Sequence, residues 1–186
     1  MTPRMSRNGW TVLVFAPLTY DSVHSRKHAM VHAAREAGHR GIYVERPSSR
    51  SVYAAGGRPS LSRPGAVAAT ADGAEVIAAP KKRSLGPLRY SLGEARDARA
   101  RGRWLARVLA REVSVEERTL AIVTTARWWP AIRELPFTRL VYDKNDEPAV
   151  LRGPLSEEEY LSREREIVAR ADLVIAPSRS LLEAAR

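Results

Sequence analysis

Acidic and other polar side chains are concentrated between residues 142 and 148. That segment reads Tyr-Asp-Lys-Asn-Asp-Glu-Pro, so three carboxylates stand beside a lysine and an amide, directly before a proline. Such a group can hydrogen-bond hydroxyl groups, position a general base or hold a cation. The same residue types also favour a solvated turn, and that alternative stays open. We take Asp143 and Asp146 as candidate catalytic residues and Asn145 and Glu147 as candidate binding residues.

A second group follows the first apolar segment, Val12–Pro17. Arg26, Lys27 and His28 stand where a helix is predicted to begin. Because the first turn of a helix presents unpaired N–H groups, cations placed there can join it in binding phosphate oxygens. The alternative is that Arg26 and Lys27 form ordinary surface ion pairs.

Three histidines, His24, His28 and His32, recur every four residues and would share one face of that helix. Imidazoles at this spacing can bind a metal ion. No carboxylate at a matching spacing completes the set, and the histidines fall opposite the predicted apolar face that carries Met30. We therefore interpret them as a solvent-exposed stripe and predict no metal site.

Two later segments add aromatic and acidic candidates. Trp128 and Trp129 follow a predicted strand, and a sugar ring or an apolar group could stack on either indole, with core packing as the alternative. Glu164 stands on the apolar face of a predicted helix, where a half-buried carboxylate needs a partner. We interpret Glu164 as a support for the turn at 143–147; the alternative, a pair with Arg163 or Arg165, is disfavoured because neighbours on a helix do not face each other.

Strands that alternate with helices are predicted to carry these residues. Continuous apolar segments predict strands over Val12–Pro17, Ile42–Glu45, Glu75–Ala79, Thr119–Thr125, Thr138–Tyr142 and Asp172–Ala176. Periodicity and caps predict helices over 25–37, 94–113 and 130–135, one from the Ser156 cap to Arg170, and a last one after Ser178. The segments 48–65 and 81–93 are predicted loops. This alternation predicts one α/β domain over 1–186: a Rossmann-like, doubly wound parallel sheet of six strands, with a variable loop region at 48–93.

In such a sheet a ligand binds beyond the carboxyl ends of the strands. The turn after the first strand contains no glycine, so the glycine-rich fingerprint of nicotinamide enzymes is missing. The chain also lacks the phosphate loop of nucleoside triphosphatases, the nucleophile elbow of α/β-hydrolases and the zinc-binding helix of metalloproteases. These enzyme classes are therefore excluded.

Composition limits the partners and the compartment. The chain has 186 residues, with 31 Lys plus Arg against 21 Asp plus Glu, a net charge of +10 and no cysteine. The lack of cysteine excludes disulfides and cysteine-ligated metals and favours the cytoplasm. The charge favours an anionic partner, with a solvated surface as the alternative, while scattered arginines and few aromatics argue against nucleic acid. The basic helix at 94–113 could bring the chain to the inner face of a membrane, or simply be solvated.

Five motifs spread over most of the chain resemble the pattern of a known protein family. In order they are Arg26-Lys27-His28, Gly38-His39, Glu45-Arg46-Pro47, the segment 142–147 and the segment 171–181. Their order and spacing resemble the N-terminal domain of GT-B-fold glycosyltransferases. The likeness is greatest to the bacterial retaining, sugar-nucleotide-dependent group that builds cell-surface polysaccharides and modifies small molecules. It does not extend to residues 48–118.

The resemblance implies a hexosyltransferase-like enzyme that moves a sugar from a nucleotide-sugar donor to a glycan, lipid-linked or small-molecule acceptor. A GT-B enzyme has two domains, of which the first mostly receives the acceptor and the second binds most of the donor. We expect that second, donor-binding domain to lie outside this chain, and the isolated chain to be inactive. No tightly bound cofactor is expected. The alternative is a non-catalytic Rossmann-like binding module, or a subunit that docks onto a separate donor-binding domain.

The resemblance also distributes the candidate residues between the two substrates. The donor phosphates are expected at Tyr20, Arg26, Lys27 and His28. The acceptor is expected at Thr125, Arg127, Trp128, Asp143, Asn145, Asp146, Glu147 and Ser178.

Overall fold

The continuous apolar segments form the centre of one sheet. The structure, a computed structural model, describes residues 9–22, 24–46, 67–79, 90–113, 118–145, 147–151 and 155–183. Strands β1 (Trp10–Phe15) and β2 (Arg40–Glu45) are buried along almost their whole length. Both faces of these strands are covered, as their lack of polar alternation predicts.

Seven strands form the sheet of the described residues. The others are β3 (Ala68–Ala69), β4 (Glu75–Ala78), β5 (Arg118–Val123), β6 (Arg139–Asp143) and β7 (Leu173–Ile175). Their order in the sheet is β3-β4-β2-β1-β5-β6-β7, and every neighbouring pair is parallel except β3 with β4. From β1 the chain first adds β2, β4 and β3 on one side, and it then adds β5, β6 and β7 on the other side, so the strand order reverses between β1 and β5. That reversal creates the crevice at which open α/β sheets bind ligands.

Helices pack on both faces of the sheet. They are α1 (Arg26–Glu36), α2 (Tyr90–Glu112), a 3-10 turn (Ala126–Trp128), α3 (Trp129–Ile132), α4 (Pro148–Leu151), α5 (Glu157–Arg170) and α6 (Arg179–Glu183). In β1, Leu13 and Phe15 face the core that holds α2, α3 and α5, while Val12 and Val14 face the core beneath α1. Among the described residues no helix is long and apolar enough to cross a membrane.

Two glycines allow these layers to approach closely. A Cβ atom at Gly41 of β2 would lie 2.5 Å from the carbonyl oxygen of Val31 in α1. At Gly102 of α2 it would lie 2.4 Å from the carbonyl oxygen of Ala131 in α3. Only a residue without a side chain fits at such distances. Gly41 thereby sets how closely α1, which carries several candidate site residues, lies on the sheet.

The α/β class and the mostly parallel sheet are confirmed, and the strand order is compatible with a Rossmann-like arrangement. The sheet has seven strands rather than six, because the antiparallel strand β3 is only two residues long and leaves no periodic pattern in the sequence. Helix α2 begins at Tyr90, inside the predicted loop at 81–93, so that boundary was wrong. The short helix α4 was not predicted, and the loop predicted over 48–65 lies outside the described residues.

Candidate functional site

The two groups of candidate residues meet where β6 ends and α1 begins. Nη2 of Arg26 donates hydrogen bonds to Oδ1 of Asp143 and to Oδ1 of Asn145, across 117 and 119 residues of sequence. The carboxylate of Asp143 is 1% exposed, whereas the Arg26 side chain is 43% exposed. We call these three residues the Arg26 cluster. A buried carboxylate thus holds a guanidinium that solvent can reach.

Asn145 closes the cluster from its other side. Its Nδ2 donates to Oδ2 of Asp143 at 3.1 Å and to the carbonyl oxygen of Asp143 at 3.3 Å. Both carboxylate oxygens of Asp143 therefore accept hydrogen bonds within the protein. In this arrangement Asp143 holds Arg26 in place rather than facing solvent. Asp146, the other candidate catalytic residue, lies outside the described residues.

A buried ion pair fixes the turn beneath the cluster. Nζ of Lys144 donates to Oε2 of Glu164 at 2.7 Å, and the two side chains are 1% and 4% exposed. The hydroxyl of Tyr142 donates to Oε1 of Glu164 at 2.5 Å. The interpretation of Glu164 as a support for the 143–147 turn is confirmed. Since charges removed from water are costly unless fully paired, this geometry ties the turn firmly to α5.

The same buried network reaches the end of β5 through Tyr160. The Tyr160 hydroxyl accepts from the backbone N–H of Ala126 at 3.4 Å and also bonds the side chains of Thr125 and Tyr142. Burial raises the pKa of Tyr142 and of Tyr160 above the usual value, so both phenols stay protonated at neutral pH. Sequence reasoning missed Tyr160. Its signal was its position four residues before Glu164, on the same face of α5.

The tryptophans after β5 belong to the core. Nε1 of Trp128 donates to the carbonyl oxygen of Ala16 at 2.9 Å, and the indole packs edge-on against Phe15. Trp128 thus bridges the ends of β5 and β1, at the reversal of the strand order. Trp129 is equally buried and donates from Nε1 to Oε2 of Glu166 at 2.7 Å. The structure therefore gives both indoles the packing role that was the alternative to ligand stacking.

His28 is a buried structural residue. The backbone N–H of Ser25 donates to Nδ1 of His28 at 3.1 Å, so the ring proton lies on Nε2, which donates to the carbonyl oxygen of Tyr20 at 2.7 Å. The ring is fully buried beside Tyr20, whose own N–H donates to Glu45. The prediction that His28 lies on a solvent-exposed stripe was wrong. Its two nitrogens are used instead to fix the connection from β1 to α1.

The remaining candidates lie in the turns and helix starts that follow β1, β5, β6 and β7. Lys27 is partly buried on the first turn of α1, and Arg127 is partly buried in the 3-10 turn, where its N–H donates to Thr125 Oγ1 at 3.4 Å. Glu147 is exposed just before α4. Ser178 is exposed and accepts from the N–H of Leu181 at 3.3 Å, as predicted for a helix cap. No hydrogen bond among the described residues joins Glu147 or Ser178 to the Arg26 cluster.

Comparisons with known protein families, with curated proteins and with solved structures found no match. A guanidinium anchored by a buried carboxylate is already in place before a ligand arrives, so little side-chain freedom remains to be lost on binding. Such a group is suited to bind an anion, above all a phosphate or a carboxylate.

Proposed function

We propose that the chain is the acceptor-binding half of a GT-B-type glycosyltransferase that uses a nucleotide-sugar donor. The observation that carries this proposal is the Arg26 cluster, with its fixed guanidinium at the carboxyl end of β6. The reversal of strand order between β1 and β5 supports the same placement, since open α/β sheets bind nucleotides beyond the carboxyl ends of their strands.

Arg26 would act on the diphosphate of the donor. Among the described residues both of its hydrogen bonds run through Nη2, so the N–H groups of Nε and Nη1 remain to bind phosphate oxygens. When the bond to the sugar breaks, negative charge grows on the leaving diphosphate. A cation already fixed at that position stabilises the growing charge without first having to reorient. The net charge of +10 also draws anionic donors toward the chain.

The acceptor would lie on the other side of the cluster. Glu147 lies two residues beyond Asn145 and is exposed, so its carboxylate can accept hydrogen bonds from sugar hydroxyls, whereas both polar side-chain atoms of Asn145 are engaged within the Arg26 cluster. In this proposal a separate donor-binding domain supplies most contacts to the nucleotide and part of the charge stabilisation. The chain alone should therefore bind a donor weakly and should not turn it over.

An exposed apolar edge favours a second candidate, a non-catalytic module that docks onto another domain. Leu173 and Ile175 are 54% and 41% exposed, two residues apart on the edge strand β7, so both point to the same side. Val150 in α4 is also largely exposed. Apolar side chains left in water at a sheet edge are typical of contact surfaces. This candidate differs from the first in that it does not need Arg26.

Calorimetric titration with UDP-, GDP- and dTDP-sugars separates the two candidates. The glycosyltransferase proposal predicts binding that prefers one nucleotide and becomes at least tenfold weaker in Arg26→Ala, because the fixed phosphate partner is lost. Arg165→Ala is the matched control, since Arg165 is an exposed arginine on α5. It should bind as the unsubstituted chain does.

Circular dichroism would verify that both variants are folded. Binding that is equally strong in Arg26→Ala and Arg165→Ala would contradict the assigned role of Arg26. A folded chain that binds none of the nucleotide sugars would favour the docking module.

A further inference from the structure

A second polar cluster, separate from the Arg26 cluster, lies beside α1. His24 precedes the helix, His32 stands within it, and Asp72 comes from the turn between β3 and β4. One donor atom from each of these residues lies within 4.8 Å of the others. We call these residues the His24 cluster. Sequence reasoning singled out both histidines but missed Asp72, which is 40 residues beyond His32 in a turn without any periodic signal.

We propose that His24, His32 and Asp72 bind a divalent transition-metal ion, Zn²⁺ in the first instance, with water as the fourth ligand. Two imidazoles and a carboxylate form a common protein donor set for zinc. This inference does not rest on the proposed function, because the two clusters share no residue.

The distances within the cluster suit this ion. In a tetrahedral zinc site with bonds of about 2.0–2.1 Å, neighbouring ligand atoms are roughly 3.3 Å apart. Nε2 of His32 and Oδ2 of Asp72 are already 3.1 Å apart. His24 is exposed, so rotation of its side chain can bring its donor atom closer. Two of the three ligands therefore need little movement to accept the ion.

Surrounding residues hold the carboxylate in place. The hydroxyl of Tyr20 donates to Oδ2 of Asp72 at 2.7 Å, and the hydroxyl of Thr70 donates to Oδ1. Gly73 has a φ of 77°, which keeps the turn tight behind Asp72. Outer hydrogen bonds of this kind orient the ligands of metal sites. They also leave Asp72 little freedom to lose when a metal binds.

Two of the three residues of the His24 cluster, His24 and Asp72, line a pocket of about 290 Å³ together with Tyr20. An ion can therefore enter, and its fourth position can hold water or exchange it for an anionic ligand. Zinc sites that keep such an open position are the ones that bind substrates, whereas closed four-residue sites are structural.

Titration of the metal-free chain, made without a histidine tag, tests the site. Calorimetry with ZnCl₂ should give one ion per chain. Cobalt(II) used as a spectroscopic probe should show the intense visible absorption of a tetrahedral site, which added zinc should abolish. His24→Ala and Asp72→Asn should each weaken zinc binding at least tenfold, because the first removes a ligand and the second replaces an anionic carboxylate oxygen by a neutral amide oxygen. His39→Ala is the matched control, since it removes the one histidine that is neither in the cluster nor fully buried.

His24 is exposed, so its removal should leave the fold intact, and circular dichroism would verify this for every variant. One outcome supports the proposal: stoichiometric binding that His39→Ala keeps and the two cluster variants lose. The absence of a one-to-one isotherm overturns it. Binding of equal strength in the double variant His24→Ala, Asp72→Asn overturns it too, because the ion would then be held elsewhere.

Discussion

At the scale of single residues, the central feature is the ion pair between the buried carboxylate of Asp143 and the guanidinium of Arg26. Asp143 is buried and accepts from Arg26 and Asn145, whereas the guanidinium of Arg26 is partly exposed. The sequence indicated Arg26 and Asp143 as separate candidates, because each follows an apolar strand. Their pairing could not be predicted, since it depends on the position of β6 relative to β1, and the sequence does not state the strand order.

The substitution Asp143→Asn tests the ion pair between Asp143 and Arg26. The amide keeps the shape of the side chain but removes the charge that faces Arg26, so we expect a loss of roughly 1.5–3 kcal/mol of unfolding free energy, typical of a hydrogen bond to a charged group. Glu183→Gln is the control, since Glu183 pairs with Arg179 on the surface and should contribute less than about 1 kcal/mol. Urea denaturation measures both losses. Equal losses would show that Asp143 is no better shielded from water than a surface acid.

The buried ion pair of Lys144 with Glu164 allows a second prediction for single residues. Lys144→Met leaves the carboxylate of Glu164 buried without its cation, so we expect a loss of about 3–5 kcal/mol in unfolding free energy. In the double variant Lys144→Met, Glu164→Leu no buried charge remains to be compensated, so part of the loss should be recovered, although the Tyr142 hydroxyl loses its acceptor on Glu164. Denaturant unfolding of both variants measures the difference. A single variant that loses less than about 1 kcal/mol would contradict the described burial.

At the scale of elements, the central strands could be predicted because burial on both faces requires unbroken apolar segments. Strand β3 could not, since two alanines pair with β4 through backbone hydrogen bonds that any residue can make. The face that α1 buries was also misjudged. The pattern suggested Met30 and the alanines, but the helix buries His28 and Val31 most deeply. The hydrogen bonds that satisfy His28 are tertiary contacts, which helical periodicity does not reveal.

Packing of α2 against α3 gives the element-scale prediction. An alanine has the higher helix propensity, so Gly102→Ala would gain up to about 1 kcal/mol if propensity alone decided. The new Cβ atom would, however, lie 2.4 Å from the carbonyl oxygen of Ala131, and α3 would have to move. We therefore expect a net loss of roughly 1–3 kcal/mol. Thermal unfolding shows whether Gly102→Ala raises or lowers stability. A stabilised variant would contradict the close approach of α2 and α3.

At the scale of the whole molecule, buried tyrosines tie stability to alkaline pH. Burial raises the pKa of Tyr142 and Tyr160 above the ordinary value of 10.0, so the folded chain keeps protons that the unfolded chain releases. Their contribution to stability is therefore complete below about pH 10 and is lost as the pH rises further. Urea midpoints measured across this range should fall at alkaline pH. The fall should be shallower in Tyr142→Phe, and an identical fall would contradict the role of Tyr142.

At this scale the strand order creates a crevice at the carboxyl ends of the strands, and our proposal is that a nucleotide sugar binds there, beside Arg26. The most direct test is a crystal structure of the chain with the nucleotide sugar that titration selects. We expect diphosphate oxygens within hydrogen-bond distance of the Arg26 guanidinium, with Asp143 still accepting from Nη2. A diphosphate bound away from Arg26, or none bound at saturating concentration, would contradict it.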